Sequence, residues 1–126
     1  LSEEAFGVAA IWSDPAERER VESAIDEGLA GCPPAVELLE SDCSEPPCLV
    51  ALSIGDLRLN DLDEVCPSWG ALGVRGSRSQ PLRCDGADRQ FTVVQVTAGA
   101  RFSGTPEARA RIVTRQAALA DVFTCR

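Results

Sequence analysis

The chain contains no histidine, lysine, methionine or tyrosine. Without imidazole there is no Ser-His-Asp or Cys-His relay and no histidine acid–base group or metal ligand. Without lysine there is no Schiff-base nucleophile and no phosphate-loop lysine. Long apolar runs are also missing: the longest, around Leu49–Ile54 and Val93–Val96, are of strand length, well short of the ~18 residues that cross a bilayer. All 12 basic residues are arginine, and the net charge is −8. That balance excludes general nucleic-acid binding, which needs a basic footprint.

What the chain does have is six cysteines in 126 residues, at positions 32, 43, 48, 66, 84 and 125. An even number spread along the chain reads as a disulfide framework, and so as a protein that folds outside the reducing cytosol, in the periplasm or the extracellular space. At this length one domain buries roughly two thirds of its unfolded surface. The disulfides therefore reinforce a core that already exists. The chain opens at Leu1 with no basic and apolar leader ahead of it. It reads as a processed form or an excised domain, anchored in a membrane if the segment before Leu1 carries an anchor.

Charge is unevenly placed. Residues 1–66 carry 16 acidic groups and 3 arginines, whereas residues 67–126 carry 4 acidic groups and 9 arginines. Either the two halves face each other in the fold, or the surface is bipolar and steers a charged partner.

Along the chain, Ala5–Trp12 alternates Phe6, Val8, Ala10 and Trp12, a strand pattern in which a helix is the alternative. Ser13-Asp14-Pro15-Ala16-Glu17 opens a helix: Ser13 or Asp14 caps it, Pro15 fits its first position, and Glu17 and Glu19 suit its positive end. Val21, Ile25 and Leu29 form its buried stripe, and Gly28, Gly31 and Pro33-Pro34 end it. Val36–Glu40 and Leu49–Ile54 are strand-like and flank a turn-rich segment bracketed by Cys43 and Cys48, which predicts a β-hairpin. Val50, Leu52 and Ile54 point to one face; Leu49, Ala51 and Ser53 point to the other.

A second helix is expected to start at Asn60-Asp61-Leu62-Asp63-Glu64, with Leu62, Val65, Cys66 and Trp69 inward and Pro67 shortening or bending it. Residues 73–89 read as a long loop, and residues 91–97 as a strand. Thr105-Pro106-Glu107 starts a last helix with Ala108, Ile112, Leu119 and Phe123 inward and Arg109, Arg111 and Arg115 outward. The order β-α-β-β-α-β-α predicts an α+β, ferredoxin-like sandwich with an added C-terminal helix that can cover the second sheet face. If the first segment is helical, the fold is a three-stranded α+β sandwich.

The candidate chemistry is narrow. Cys43 and Cys48 pair across the hairpin tip; Cys66 with Cys84 and Cys32 with Cys125 are the expected remaining bridges, among 15 possible connectivities. Closing a ~90-residue loop through the last pair contributes roughly 4–5 kcal/mol in the loop-entropy account. With no Cys-x-x-Cys and no histidine, neither a zinc knuckle nor a thioredoxin-type centre is expected, and no cofactor is implied. The acids at 56–64 lack the glycine and terminal glutamate register of a calcium loop. Asp61, Asp63 and Glu64 suit a helix start. The predicted contact site is the Arg75, Arg78 and Arg83 segment with Glu45 of the adjacent hairpin tip, able to grip carboxylates or phosphates of a protein partner. Trp12 and Trp69 read as core anchors. Leu49, Ala51, Phe91 and Val93 line the second sheet face, as core if the last helix covers them and as a docking surface if it does not.

The hairpin Val36…Ser41-Asp42-Cys43-Ser44-Glu45-Pro46-Pro47-Cys48-Leu49-Val50 resembles a short motif in uncharacterised envelope domains of myxobacteria-like bacteria. The resemblance implies a periplasmic or membrane-anchored module with a Cys-bracketed hairpin, and implies no reaction. Composition and resemblance together point to a non-catalytic interaction or sensor module of a bacterial envelope protein. The alternatives are a secreted enzyme inhibitor that inserts the Cys43–Cys48 loop into a cleft, and a carboxylate-dependent hydrolase. Native protein alkylated under denaturing conditions should show no free thiol by intact mass; mostly free thiols would remove the compartment assignment.

Overall fold

The computed structural model describes Trp12, residues 14–100 and residues 105–125. The strand expected over Ala5–Trp12 falls outside the described residues apart from Trp12.

Helix α1 spans Pro15–Leu29, and the Asp14 side chain accepts a hydrogen bond from the Ala16 amide at its N-terminus. That cap and the proline at the first position are the local reasons it starts where it does. Val21, Ala24, Ile25 and Gly28 form its buried face. Strands β1 (Glu37–Asp42) and β2 (Cys48–Ser53) are the expected hairpin. A short helical segment follows: a 3-10 turn at Leu59–Asp61, α2 at Leu62–Val65, and a second 3-10 turn at Trp69–Leu72. Cys66 caps α2 in an extended conformation directly before Pro67, so the proline cuts the expected longer helix to little more than one turn.

The long loop expected over residues 73–89 is instead strand β3 (Val74–Cys84) turning directly into β4 (Ala87–Val96). Asp85 and Gly86 make the connection with φ of 51° and 82°. Two positive-φ residues between paired strands make a hairpin turn whose twist matches the sheet. Helix α3 spans Pro106–Ala120, and the Thr105 hydroxyl accepts from the Ala108 amide as its cap.

The strands form one four-stranded antiparallel sheet in the order β1-β2-β4-β3. β2 and β3 therefore run parallel with β4 between them, joined by the short helical segment. The chain is α+β, with three helices and three disulfides among the described residues.

All six residues of β2 are buried, and so are Phe91–Val94 and Val96 of β4. The central pair thus needs apolar cover on both faces. On one side Val50, Leu52, Ile54, Val94 and Val96 pack with Val21 and Ile25 of α1 and with Leu62, Trp69 and Leu72. On the other side Leu49, Ala51 and Val93 pack with Leu119, Ile112, Val122 and Phe123. Phe123 also stacks at 5.1 Å on Phe91. The C-terminal helix covers the second face, so these strand residues are core. Trp69 is buried, and Trp12 is half-buried with its indole N–H donating to the Cys43 carbonyl at 2.8 Å.

The two-layer cover decides the disulfides. Cys43 pairs with Cys48 across the hairpin tip, as expected. The other two pairings differ from expectation: Cys32 joins Cys66, and Cys84 joins Cys125. Cys32 follows α1 and Cys66 follows α2, on the same side of the sheet. Cys84 lies across the sheet from them, at the end of a strand rather than in a loop, where the chain after α3 passes. Bridges of sequence separation 34 and 41 each contribute about 4 kcal/mol in the loop-entropy account, against about 2 for the short tip.

Gly28 is where α1 crosses the short helical segment most closely: an added Cβ would lie 2.5 Å from Leu72 Cγ. Leu72 is fully buried, so it must shift within the core to admit that atom. Gly28→Ala gains about 1 kcal/mol of helix propensity and loses about 1–3 kcal/mol to overpacking. The expected outcome is net destabilisation of up to about 2 kcal/mol by urea unfolding; a stabilised variant would show that this crossing is loose.

Candidate contact surface

Two polar regions stand out: the β1–β2 hairpin tip, and the open edge of β3. At the tip, Asp42 folds back on the turn, accepting from the Ser44 amide at 3.0 Å and the Ser44 hydroxyl at 2.6 Å. Such side-chain bonds two residues on are how aspartate shapes a turn. The tip is then seized from α3. Arg115 Nε donates to Asp42 Oδ2 at 2.7 Å, and its Nη2 donates to the carbonyls of Asp42, Glu45 and Pro47 at 3.1, 3.0 and 2.8 Å. Arg111 Nε donates to Glu45 Oε2 at 3.1 Å. Arg115 Nη1 stands 3.7 Å from Glu45 Oε1, an ion-pair separation too long for a hydrogen bond.

The Arg115 side chain is only 11% exposed. Arg111 and Arg115, expected on the outer face of the last helix, instead face the tip. Arg115 falls in the same stripe as Ala108, Ile112 and Leu119, at offsets of four, seven and eleven, which is the buried side of α3. Glu45, expected to meet a partner, is held by these two arginines. Cys43, Pro46, Pro47 and Cys48 are buried as well, so the tip is packed onto α3 and does not project.

Burial by itself would raise the Asp42 pKa. Hydrogen bonds from the Ser44 hydroxyl, the Arg115 guanidinium and the Ser44 amide, with the Arg115 charge, outweigh it and hold the carboxyl below the usual aspartate value. A depressed folded-state pKa means stability present above the unfolded value and lost as pH falls through the folded one.

The three arginines of the expected contact loop lie on β3 and do not converge. Arg75 is the extra residue at a bulge between Val74 and Gly76. Arg78 is paired with Val93 and shares the α3 side of the sheet; Arg83 is paired with Asp88 one position out of phase and faces the other side. Arg75 and Arg83 are eight positions apart, about 26 Å along a strand. Arg83 is also engaged, with Asp88 Oδ1 at 3.3 Å and the Gly86 carbonyl at 2.9 Å. Arg75 and Arg78 have no ion pair among the described residues. What the structure brings together is therefore a basic half-strand, Arg75–Gln80, at the sheet edge.

Among the described residues the backbone of that edge is unpaired. Cys84 and Ala87 flank a two-residue turn, which makes them a hydrogen-bonded pair, and such pairs alternate along the ladder. Ser77, Ser79, Pro81 and Arg83 accordingly turn their backbone groups away from β4, and no described strand pairs there. Pro81 occupies one of these outward positions, where its missing N–H removes nothing from the sheet. Asp61, Asp63 and Glu64 lie at the start of the short helical segment, where Asp61 Oδ2 accepts from the Arg58 amide at 3.0 Å. Among the described residues no group of His, Cys, Asp or Glu is arranged to hold a metal ion.

Arg115→Met should destabilise the fold by about 3–5 kcal/mol, since it strands buried acceptors that the guanidinium satisfies. Asp42→Asn should flatten the loss of stability seen as pH falls below about 4. Urea unfolding across a pH series reads both; an unchanged acid limb in the Asp42 variant would detach that carboxylate from the network. Compared with protein-family models, curated proteins and solved structures, the chain matches none of them.

Proposed function

We propose that this chain is a non-catalytic, extracytoplasmic interaction domain, serving as a sensor or adaptor module of a bacterial envelope protein, whose partner is an acidic protein segment bound along the β3 edge. The observation that carries this reading is an edge strand that, among the described residues, has no outer partner and bears two arginines without an ion pair, in a chain of net charge −8. Three disulfides and no free cysteine support an oxidising compartment. No described helix is long and apolar enough to cross a membrane. The Cys-bracketed hairpin keeps its resemblance to envelope domains of myxobacteria-like bacteria as a further support. We read the sheet as a ferredoxin-like layout entered one strand later, because β2 and β3 flank β4 and a helical segment joins them.

Edge-strand addition fits the geometry. Main-chain groups of Ser77 and Ser79 supply the ladder, and Arg78 with Arg75 select acidic side chains. Arginine and proline on an edge also discourage pairing with identical edges, so the strand is guarded against its own kind and open to an acidic one. The packed hairpin tip favours this edge over the tip as the contact.

A fluorescein-labelled alternating Glu-Val hexapeptide is a suitable probe. Fluorescence anisotropy should show salt-sensitive binding that drops at least tenfold in Arg75→Glu/Arg78→Glu and in Ser79→Pro, with unchanged circular dichroism. Equal affinity in the charge-reversed variant would overturn the assignment.

A further inference from the structure

The sheet has a second edge, and its chemistry is the reverse of the first. Strand β1 bounds the sheet on the side away from β3, and among the described residues it too has no outer partner. It carries acids and no arginine. Asp42 is held by Arg115, and Glu37 is engaged in a contact of its own. Glu40 is exposed and makes no ion pair among the described residues. Leu38, on the same strand, is 43% exposed, one of two large apolar side chains left in that state. An apolar side chain on an unpaired edge invites another strand.

We propose that the acidic segment received by the β3 edge is β1 of a second copy of this chain, so that copies join head to tail into one continuous sheet. This rests on the reading of β3 as a receptor for an acidic strand, and it names that strand. The strand directions allow it. The pairs β1–β2, β2–β4 and β4–β3 are all antiparallel, so β1 and β3 run in opposite directions. A copy shifted along the sheet therefore sets its β1 antiparallel to β3, with each helix layer kept on its own side.

The register allows it as well. The alternation that turns Ser77 and Ser79 outward on β3, carried across β4 and β2, turns Leu38 and Ser41 outward on β1. Pairing Leu38 with Ser79, and Ser41 with Ser77, joins outward backbone groups to outward backbone groups. Between those pairs β1 has two residues and β3 has one, because Leu39 is the extra residue of a bulge. Glu40 and Arg78 lie opposite Ala51 and Val93, on the α3 side of the sheet. The same register sets them side by side as a cross-strand pair of opposite charge. Pro81 then falls opposite Val36, one residue before β1 begins, so its missing N–H takes nothing from the ladder. Like edges would instead set arginine against arginine or glutamate against glutamate. A head-to-tail contact of this kind does not close on itself and gives an open row of copies.

An interface of one short strand is small beside the roughly 1,200–2,000 Å² of stable complexes, and a net charge of −8 on each copy opposes it. The expected dissociation constant is on the order of 100 μM. Sedimentation equilibrium of the 13.4 kDa chain reads it, at about 0.1 M salt, where screening confines the overall repulsion to about 10 Å. The mean mass should climb past that of a dimer as the protein approaches about 1 mM. Glu40→Arg should weaken association about tenfold and leave binding of the Glu-Val hexapeptide unchanged, because β3 is intact. Arg78→Glu should weaken it equally, and Glu40→Arg/Arg78→Glu in one chain should restore it. Excess hexapeptide should return the parent chain to monomer. A monomer at about 1 mM, a mass that levels at the dimer, or no rescue by the swapped pair would overturn the proposal. Hexapeptide binding by a chain that stays monomeric would sink the self-pairing alone; loss of both would take the strand-edge reading with it.

Discussion

The pairing of β2 with β4 is the constraint from which the remaining architecture follows. β2 and the Phe91–Val94 part of β4 are buried on both faces, and a strand pair of that kind must be sandwiched between apolar layers. Each fully buried large aliphatic or aromatic side chain contributes on the order of 1.5–3 kcal/mol, and Leu49, Val50, Leu52, Phe91, Val93, Val94 and Val96 are all in this class. α1 with the short helical segment forms one layer, and α3 forms the other. The long-range disulfides then tie each layer to itself or to the sheet: Cys32–Cys66 holds the first layer together, and Cys84–Cys125 ties the tail of α3 to the end of β3. They secure a core they did not create.

The same layering explains the charge distribution. Acidic groups dominate α1 and β1, and arginines dominate β3 and α3. At one place the two halves meet: α3 lies across the hairpin tip, so Arg111 and Arg115 reach Asp42 and Glu45. At the other, β3 lies at the far edge of the sheet from β1, and Arg75 and Arg78 form no ion pair among the described residues. Two acids of the first half are thus paired with α3 arginines, and the arginines of β3 stand at the opposite edge of the sheet. The tip network is kept at a desolvation cost that salt bridges do not always recover; its structural consequence is a single position for the hairpin on α3.

Local signals were well legible. Asp14-Pro15 and Thr105-Pro106 mark the starts of α1 and α3, each confirmed by a capping bond. Alternation over Leu49–Ile54 places each side chain on its correct face, and the Cys43–Cys48 span closes the tip. β3 was illegible as a strand because it lies at an edge and is exposed on both sides for most of its length. No burial alternates there, so no hydrophobic period appears in Arg75–Arg83. Its one mark is Asp85-Gly86, a two-residue pattern typical of tight hairpins, which pairs the polar run before it with the apolar strand after it. Arg115 left a comparable trace: a cation at a position the apolar stripe of α3 should own.

The sequence by itself determined a disulfide-bonded α+β chain without histidine or lysine, with its helix starts, its first hairpin and a two-faced central strand. Those properties depend on residues within a turn or two of each other. Tertiary structure alone decided which face each helix covers, and with that the partners of Cys32, Cys66, Cys84 and Cys125, the burial of Arg115 and Gln116, and the exposure of the β3 edge. The reason is physical: caps, turns and periodicity act over a few residues, whereas the side of a sheet on which a helix lands is set by burial summed over contacts far apart in the chain.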